Sequence, residues 1–196
     1  MTESTFDPLF EATVAERRRL VGLLSELTEE QWAHHSLCKG WRVREVVAHI
    51  TAAYRLTPEA VMAGVAAAAG DWNAACDVLA KRDTAQYSDA ELLASLAENV
   101  THPWKPPGGG QGGALSHDVI HGLDITEPLG LPRTPVKRVE LVLANLDARG
   151  LAFFGVDLTG RRLVARDCEW SMGDGADVVE APVADLLLKI AGRRPL

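Results

Sequence analysis

From residue 10 to residue 154 the apolar residues recur at helical spacing, and this period constrains the fold more than any other feature of the chain. Phe10, Val14, Val21, Leu24 and Leu27 share one face of a segment at 10–27, with the charged run Glu16, Arg17, Arg18, Arg19 falling mostly on the wet side. Val43, Val46, Val47, Ile50 and Tyr54 stripe a second helix at 43–54, and Leu92, Leu93, Leu96 and Val100 a third at 88–100. Caps separate the segments. Thr28-Glu29-Glu30-Gln31 reads as a capping box, Thr57-Pro58 opens an alanine-rich helix that Gly70 breaks, and Ser88 caps the next. Residues 72–81 continue as helix, 114–124 form another, and 136–154 a last long one, interrupted or ended near Gly150. Two adjacent prolines and five glycines at 103–113 predict a flexible loop with no regular structure, abutting the 114–124 helix where it could gate a site.

The pattern changes after residue 154. Val164, Cys168, Trp170 and Met172 alternate imperfectly along 162–172, Gly173-Asp174-Gly175 is a turn, 176–179 a second short strand, and 184–190 a closing helix ending at Gly192. The expected fold is mainly α, a helical bundle over 1–154 followed by a small ββα unit over 155–196. A net charge of −7 and the lack of any basic run argue against nucleic acid or an anionic membrane as partner. The acidic start at 1–8 does not read as a secretory signal, and the most apolar stretch, 60–69, is too short to span a bilayer. Three cysteines, Cys38, Cys76 and Cys168, with no CxxC spacing, point away from a disulfide framework or a thiolate zinc site and toward a reducing, cytoplasmic setting.

Against this background two histidines stand out. His117 and His121 lie four apart on one helix, hence on one face, about 6 Å apart along the axis. Imidazole is a common ligand for zinc, iron, nickel and copper, and a third ring from a neighbouring helix would complete a site with an open position. His34, His35 and His102 are also present, but His49 is preferred, because the strong apolar stripe of its helix turns it inward, whereas His34 and His35 follow a capped turn and read as solvated. An ion so held can lower the pKa of a bound water or thiol or polarise a carbonyl. Asp118, Asp124 and Glu45 are candidates to orient a ligand histidine from behind.

Competing chemistry is weaker. No glutamate follows His117 as HExxH requires, no Gly-x-Ser-x-Gly is present, and no Gly-Lys-Ser/Thr follows the glycines at 108–113. Lys39 could lower the pKa of Cys38, yet a lone cysteine is more often inert. Trp41, Trp104 and Trp170 read as packing residues.

Trp32, then Ser36-Leu37-Cys38-Lys39-Gly40-Trp41-Arg42-Val43-Arg44-Glu45-Val46-Val47-Ala48-His49-Ile50, resembles the N-terminal signature of the actinobacterial mycothiol-dependent maleylpyruvate isomerase family, a branch of the DinB-like metal-binding four-helix bundles. Val119-Ile120-His121-Gly122-Leu123-Asp124-Ile125, followed by Pro128-Leu129-Gly130, is similar to its second signature. Arg166-Asp167-Cys168-Glu169-Trp170-Ser171, with Ala184-Asp185-Leu186-Leu187-Leu188 and the Gly192-Arg193 ending, resembles its small C-terminal domain. The resemblance implies a DinB-like four-helix bundle with a divalent metal, usually zinc, with His49 at the family's first ligand position and His121 at its last. Four residues before that last ligand the isomerase has glutamate and many relatives histidine; here it is His117, which implies the three-histidine variant. It further implies a low-molecular-weight thiol such as mycothiol bound near the metal, and a C-terminal arginine, matched by Arg193, that assists catalysis on an anionic substrate.

The reading that follows is a metal-dependent enzyme that uses such a thiol on a small electrophilic substrate, as S-transferase or cis-trans isomerase, with monomer and homodimer both open. The alternative is a non-catalytic metal or small-ligand binding protein on the same bundle.

Overall fold

The computed structural model describes residues 7–196, so most of the acidic start read above lies outside the described residues. The chain is mainly α with one small sheet, as expected. Its helices are α1 (Pro8–Leu24), α2 (Glu29–Trp32), α3 (Val43–Arg55), α4 (Pro58–Ala67), α5 (Trp72–Gln86), α6 (Asp89–Glu98), α7 (Gly110–Thr126), α8 (Val136–Ala144), α9 (Ala148–Phe154) and α10 (Val183–Ile190). The strands are β1 (Arg161–Ala165), β2 (Ser171–Gly173) and β3 (Asp177–Ala181). No described helix is long and apolar enough to cross a membrane.

The caps work as their residue types dictate. Thr28 Oγ1 accepts from the Gln31 amide while Gln31 Oε1 accepts from the Thr28 amide, and Ser88 and Thr57 cap α6 and α4 through their hydroxyls. Helices α1, α7, α3 and α6 pack in a ring, each against the next, with α5 outside α3 and α4 outside α5. One core lies inside this ring, built on Leu20, Leu24, Val43, Val46, Val47, Ile50, Leu92 and Leu96. A second lies between α7, α8, the sheet and α10, built on Leu115, Val119, Leu123, Val139, Leu143, Leu163, Leu186 and Leu187. Helix α7 serves both and is buried nearly all round, which is why its polar residues must find partners inside the protein.

Four sequence expectations change. Glu16 and Arg17 are fully buried rather than wet. Glu16 is met by Arg19 at 2.6 Å, Arg138 at 2.5 Å and the Thr134 hydroxyl at 2.9 Å, and Arg17 by Asp118 at 2.6 Å. Apart from Arg19, three residues on in α1, those partners come from distant segments, so periodicity on α1 alone cannot show them. The loop at 103–113 is shorter than expected, because α7 already begins at Gly110. The glycines there serve contact with a proline: a Cβ on Gly109 or Gly113 would lie 2.8 or 2.9 Å from Pro106 Cγ. The long helix at 136–154 is two helices, since Asp147 accepts from the Gly150 amide at 2.9 Å and caps a new start. The C-terminal unit gains a strand. β1 is central, antiparallel to β2 and parallel to β3, with Leu163 opposite both Met172 and Val179. The segments at 171–173 and 177–181 therefore flank β1 instead of pairing with each other, and the chain crosses the start of β1 between them. Gly173, at φ +85°, and Gly175 make that crossing; a Cβ at either would run into the backbone of Arg161 or Gly160.

Helix α1 packs tightly on α7 at Gly122, where a Cβ would sit 2.9 Å from Glu16 Oε1 and 3.3 Å from Leu20 Cδ2. Gly22, exposed on α1, has nothing within 4 Å of its would-be Cβ. Gly122→Val should cost about 1–3 kcal/mol by overpacking, whereas Gly22→Ala should add about 0.5–1 kcal/mol through helix propensity. Chemical denaturation of the two variants checks the opposite signs; equal shifts would contradict the packing described.

Candidate metal centre

The three histidines singled out in the sequence come together. His117 and His121 project from the same face of α7, with ring centroids 4.7 Å apart, and His49 of α3 lies across from them, its centroid 5.1 Å from His117 and 4.8 Å from His121. His49 Nε2 and His117 Nε2 are 3.2 Å apart. One nitrogen from each of the three rings falls within a mutual 4.8 Å. Two nitrogens bound to one tetrahedral zinc at 2.0–2.1 Å would stand about 3.3 Å apart, so the donor set fits a shared divalent ion. The side chains of His117 and His121 remain 14% and 12% exposed, so one edge of the cluster is open to solvent.

Carboxylates fix the α7 rings from behind. His117 Nδ1 donates to Asp118 Oδ1 at 2.8 Å and His121 Nδ1 to Asp124 Oδ2 at 2.9 Å. A carboxylate only accepts, so both rings carry their proton on Nδ1 and turn the Nε2 lone pair toward His49. Asp118 and Asp124 are themselves fully buried and held by arginines: Arg17 Nε reaches Asp118 Oδ2 at 2.6 Å, and Arg193 reaches both oxygens of Asp124 at 3.0 Å. Burial alone would raise both carboxyls, but the histidine and arginine partners keep both below the usual carboxylate range. Burial, then the neighbouring rings and the Arg193 charge, depress His49 well below an ordinary imidazole. Burial also lowers His121, against the pull of Asp124.

The loop before α3 places further groups. The Leu37 amide donates to the Asp124 carbonyl at 3.0 Å, pinning this loop to the end of α7, and Gly40 at φ +81° lets the chain turn back so that the Trp41 amide reaches the Cys38 carbonyl. Cys38 Sγ thereby lies 3.0 Å from Asp124 Oδ2, 3.8 Å from His121 Nδ1 and 3.5 Å from Arg193 Nη2. Burial, reinforced by Asp124, pushes its thiol up to about 12, so it stays a protonated donor; the lowering by Lys39 considered above does not occur. Cys38, His121 and Asp124 also have metal-binding geometry, yet the Arg193 guanidinium already bonds to Asp124 and Cys38, which disfavours a second cation.

Aromatic rings wall the cluster. Trp41 packs 5.2 Å from His49 and is held by its Nε1 donating to Asp77 at 2.8 Å, and Trp104 meets His117 edge-on at 5.0 Å. The other sequence candidates lie elsewhere. His34 and His35 are exposed; His102 packs on Tyr54 at 4.9 Å; Glu45 bonds Arg42 and Thr84 rather than a histidine; Trp170 packs on the second core. Arg193 uses Nε and Nη2 on Asp124 and Nη1 on the Ala191 carbonyl, while Arg194 pairs with Asp185 and Glu127. Arg17, buried on α1 against Asp118, also belongs to the site, and no local signal marks it, because its partner lies far along the chain.

Residues 13–102 match the family described as mycothiol maleylpyruvate isomerase N-terminal domain. No curated protein matches the chain. Among solved structures, the crystal structure of the mycothiol-dependent maleylpyruvate isomerase aligns with a TM-score of 0.51 at 16% identity, covering 95% of this chain and 88% of the other. A histidine-to-alanine mutant of that isomerase aligns at 0.50, with the same identity and coverage. At this identity the likeness is one of fold.

The histidine cluster sets a pH dependence. His49 and His121 bind protons less readily folded than unfolded, so the unfolded chain takes up more protons once the pH falls below its histidine value of about 6.5. Stability carried by these rings is full above that value and lost as pH falls. The metal-free protein should show a melting midpoint that declines from about pH 7 to about pH 5, less steeply in His49→Gln. A flat midpoint across that range would contradict the burial described.

Proposed function

We propose, from the match of residues 13–102 to the mycothiol maleylpyruvate isomerase N-terminal domain, that this chain is a metal-dependent enzyme of that family, acting on a small electrophile with a low-molecular-weight thiol such as mycothiol. His49, His117 and His121 hold the metal, zinc by the chemistry of the donor set. The observation that carries this reading is the approach of His49 Nε2 to His117 Nε2 at 3.2 Å beside His121, with both α7 rings oriented by carboxylates. A divalent ion held by three neutral rings would keep its full charge and favour a thiolate over a thiol near neutral pH.

The chain's own groups do the rest. Asp118 and Asp124 keep the Nε2 lone pairs of their histidines aimed inward. Trp41 and Trp104 flank the rings and limit water there. Arg193, tied to Asp124, is the catalytic candidate: its positive charge acts on His49 and His121 and suits an anionic substrate drawn to the same place. The thiolate sulfur adds to one carbon of an activated double bond, and the electron pair moves onto the activating group. Rotation about the resulting single bond and loss of the sulfur returns the isomer; a proton delivered to the adjacent carbon leaves the S-conjugate. The setting we propose is cytoplasmic, with the thiol and the electrophile as the only required partners.

His121→Ala should reduce bound zinc from about one equivalent to near zero, measured by plasma emission spectroscopy, and should abolish turnover of a thiol with an unsaturated dicarboxylate. Unchanged metal content would contradict the ligand assignment; full metal with no thiol-dependent turnover in the wild-type chain would contradict the enzymatic one.

A further inference from the structure

We propose that Arg17 is a positioning residue that sets the His117 imidazole and couples the 100–109 loop to it; this rests on the metal reading above. Arg17 is wholly buried on α1 and its guanidinium divides among three tasks. Its Nε donates to Asp118 Oδ2 at 2.6 Å, and the other oxygen of that carboxylate receives the proton of His117 Nδ1 at 2.8 Å. Its Nη1 donates to the carbonyls of His102 at 2.6 Å and Val100 at 3.4 Å. Its Nη2 has no hydrogen-bond partner, and the guanidinium lies over the Tyr54 ring, 5.4 Å from the centroid.

Both sides of His117 therefore depend on one cation. Behind the ring, Asp118 can hold Nδ1 in a single orientation because Arg17 occupies its second oxygen and offsets its charge in the interior. In front, the carbonyls held by Nη1 anchor the start of the loop. His102 Nδ1 then accepts from the Trp104 amide at 3.2 Å, and the Trp104 ring rests edge-on against His117 at 5.0 Å. A lysine could supply the charge but not a planar fork that reaches a carboxylate and two carbonyls at once.

A buried ion pair could equally be a plain structural contact, and the chain contains the control. Arg138 pairs with buried Glu16, the neighbour of Arg17 on α1, at 2.5 Å, with no link to a histidine. Zinc affinity, measured by competition with a chromophoric chelator, separates the two roles. Arg17→Met should weaken zinc binding about 10–100-fold, Arg17→Lys by an intermediate factor, and Arg138→Met by less than about 2-fold. Because Arg17 acts through Asp118, the double variant Arg17→Met/Asp118→Asn should bind zinc no more weakly than Asp118→Asn alone. Should Met at 17 leave the chain unfolded, Arg17→Lys is read by the same criterion against Arg138→Met. Normal zinc affinity in the Arg17 variants, or an equal loss in Arg138→Met, overturns the inference while leaving the metal reading intact. A wild-type chain that takes up no zinc overturns the metal reading and this inference with it.

Discussion

Asp118 and Asp124, both buried on α7, each stand between a histidine of the same helix and an arginine from elsewhere in the chain. Arg17 comes from the first helix of the bundle and Arg193 from the last turn of the C-terminal unit. A buried carboxylate without such partners would cost several kcal/mol or take up a proton and cease to orient its histidine. With them it stays ionised and holds its imidazole in one tautomer. The two arginine–aspartate–histidine relays thus tie both ends of the described chain to α7. The order of packing follows from this: α7 is central because its polar face needs partners on both sides, and the two apolar cores form where its remaining faces are covered.

Most of this architecture was legible in the sequence where the signal was local. The 3.6-residue stripes, the caps at Thr28, Thr57 and Ser88, and the change of period after residue 154 depend on neighbours in the chain and were readable there. What escaped depended on contacts at a distance. Glu16 and Arg17 look like the wet side of an amphipathic helix until Arg138 and Asp118 are brought to them. Gly109 and Gly113 look like part of a breaker until Pro106 is seen to need their missing side chains. The strand order escaped because pairing partners are chosen by a crossing at Gly173 and Gly175, not by alternation.

The candidate site divides in the same way. The spacing of His117 and His121 and the inward turn of His49 are sequence-level facts, and the structure brings their rings together. The place of Arg193 beside the cluster came from resemblance, while its contact with Asp124 required the fold. In the sequence Cys38 reads as a lone, inert cysteine. It proves to be a protonated donor to Asp124, held there by a turn that its own sequence, with Gly40 two residues on, was suited to form.

The central claim is that these three imidazoles share one ion through their inward nitrogens. X-ray absorption at the zinc edge, on the wild-type chain loaded with one equivalent of zinc, tests it most directly. The account predicts a shell containing three imidazole nitrogens at about 2.0–2.1 Å with one water oxygen completing the sphere. A shell of oxygens alone, or one dominated by sulfur at about 2.3 Å from Cys38, would contradict it.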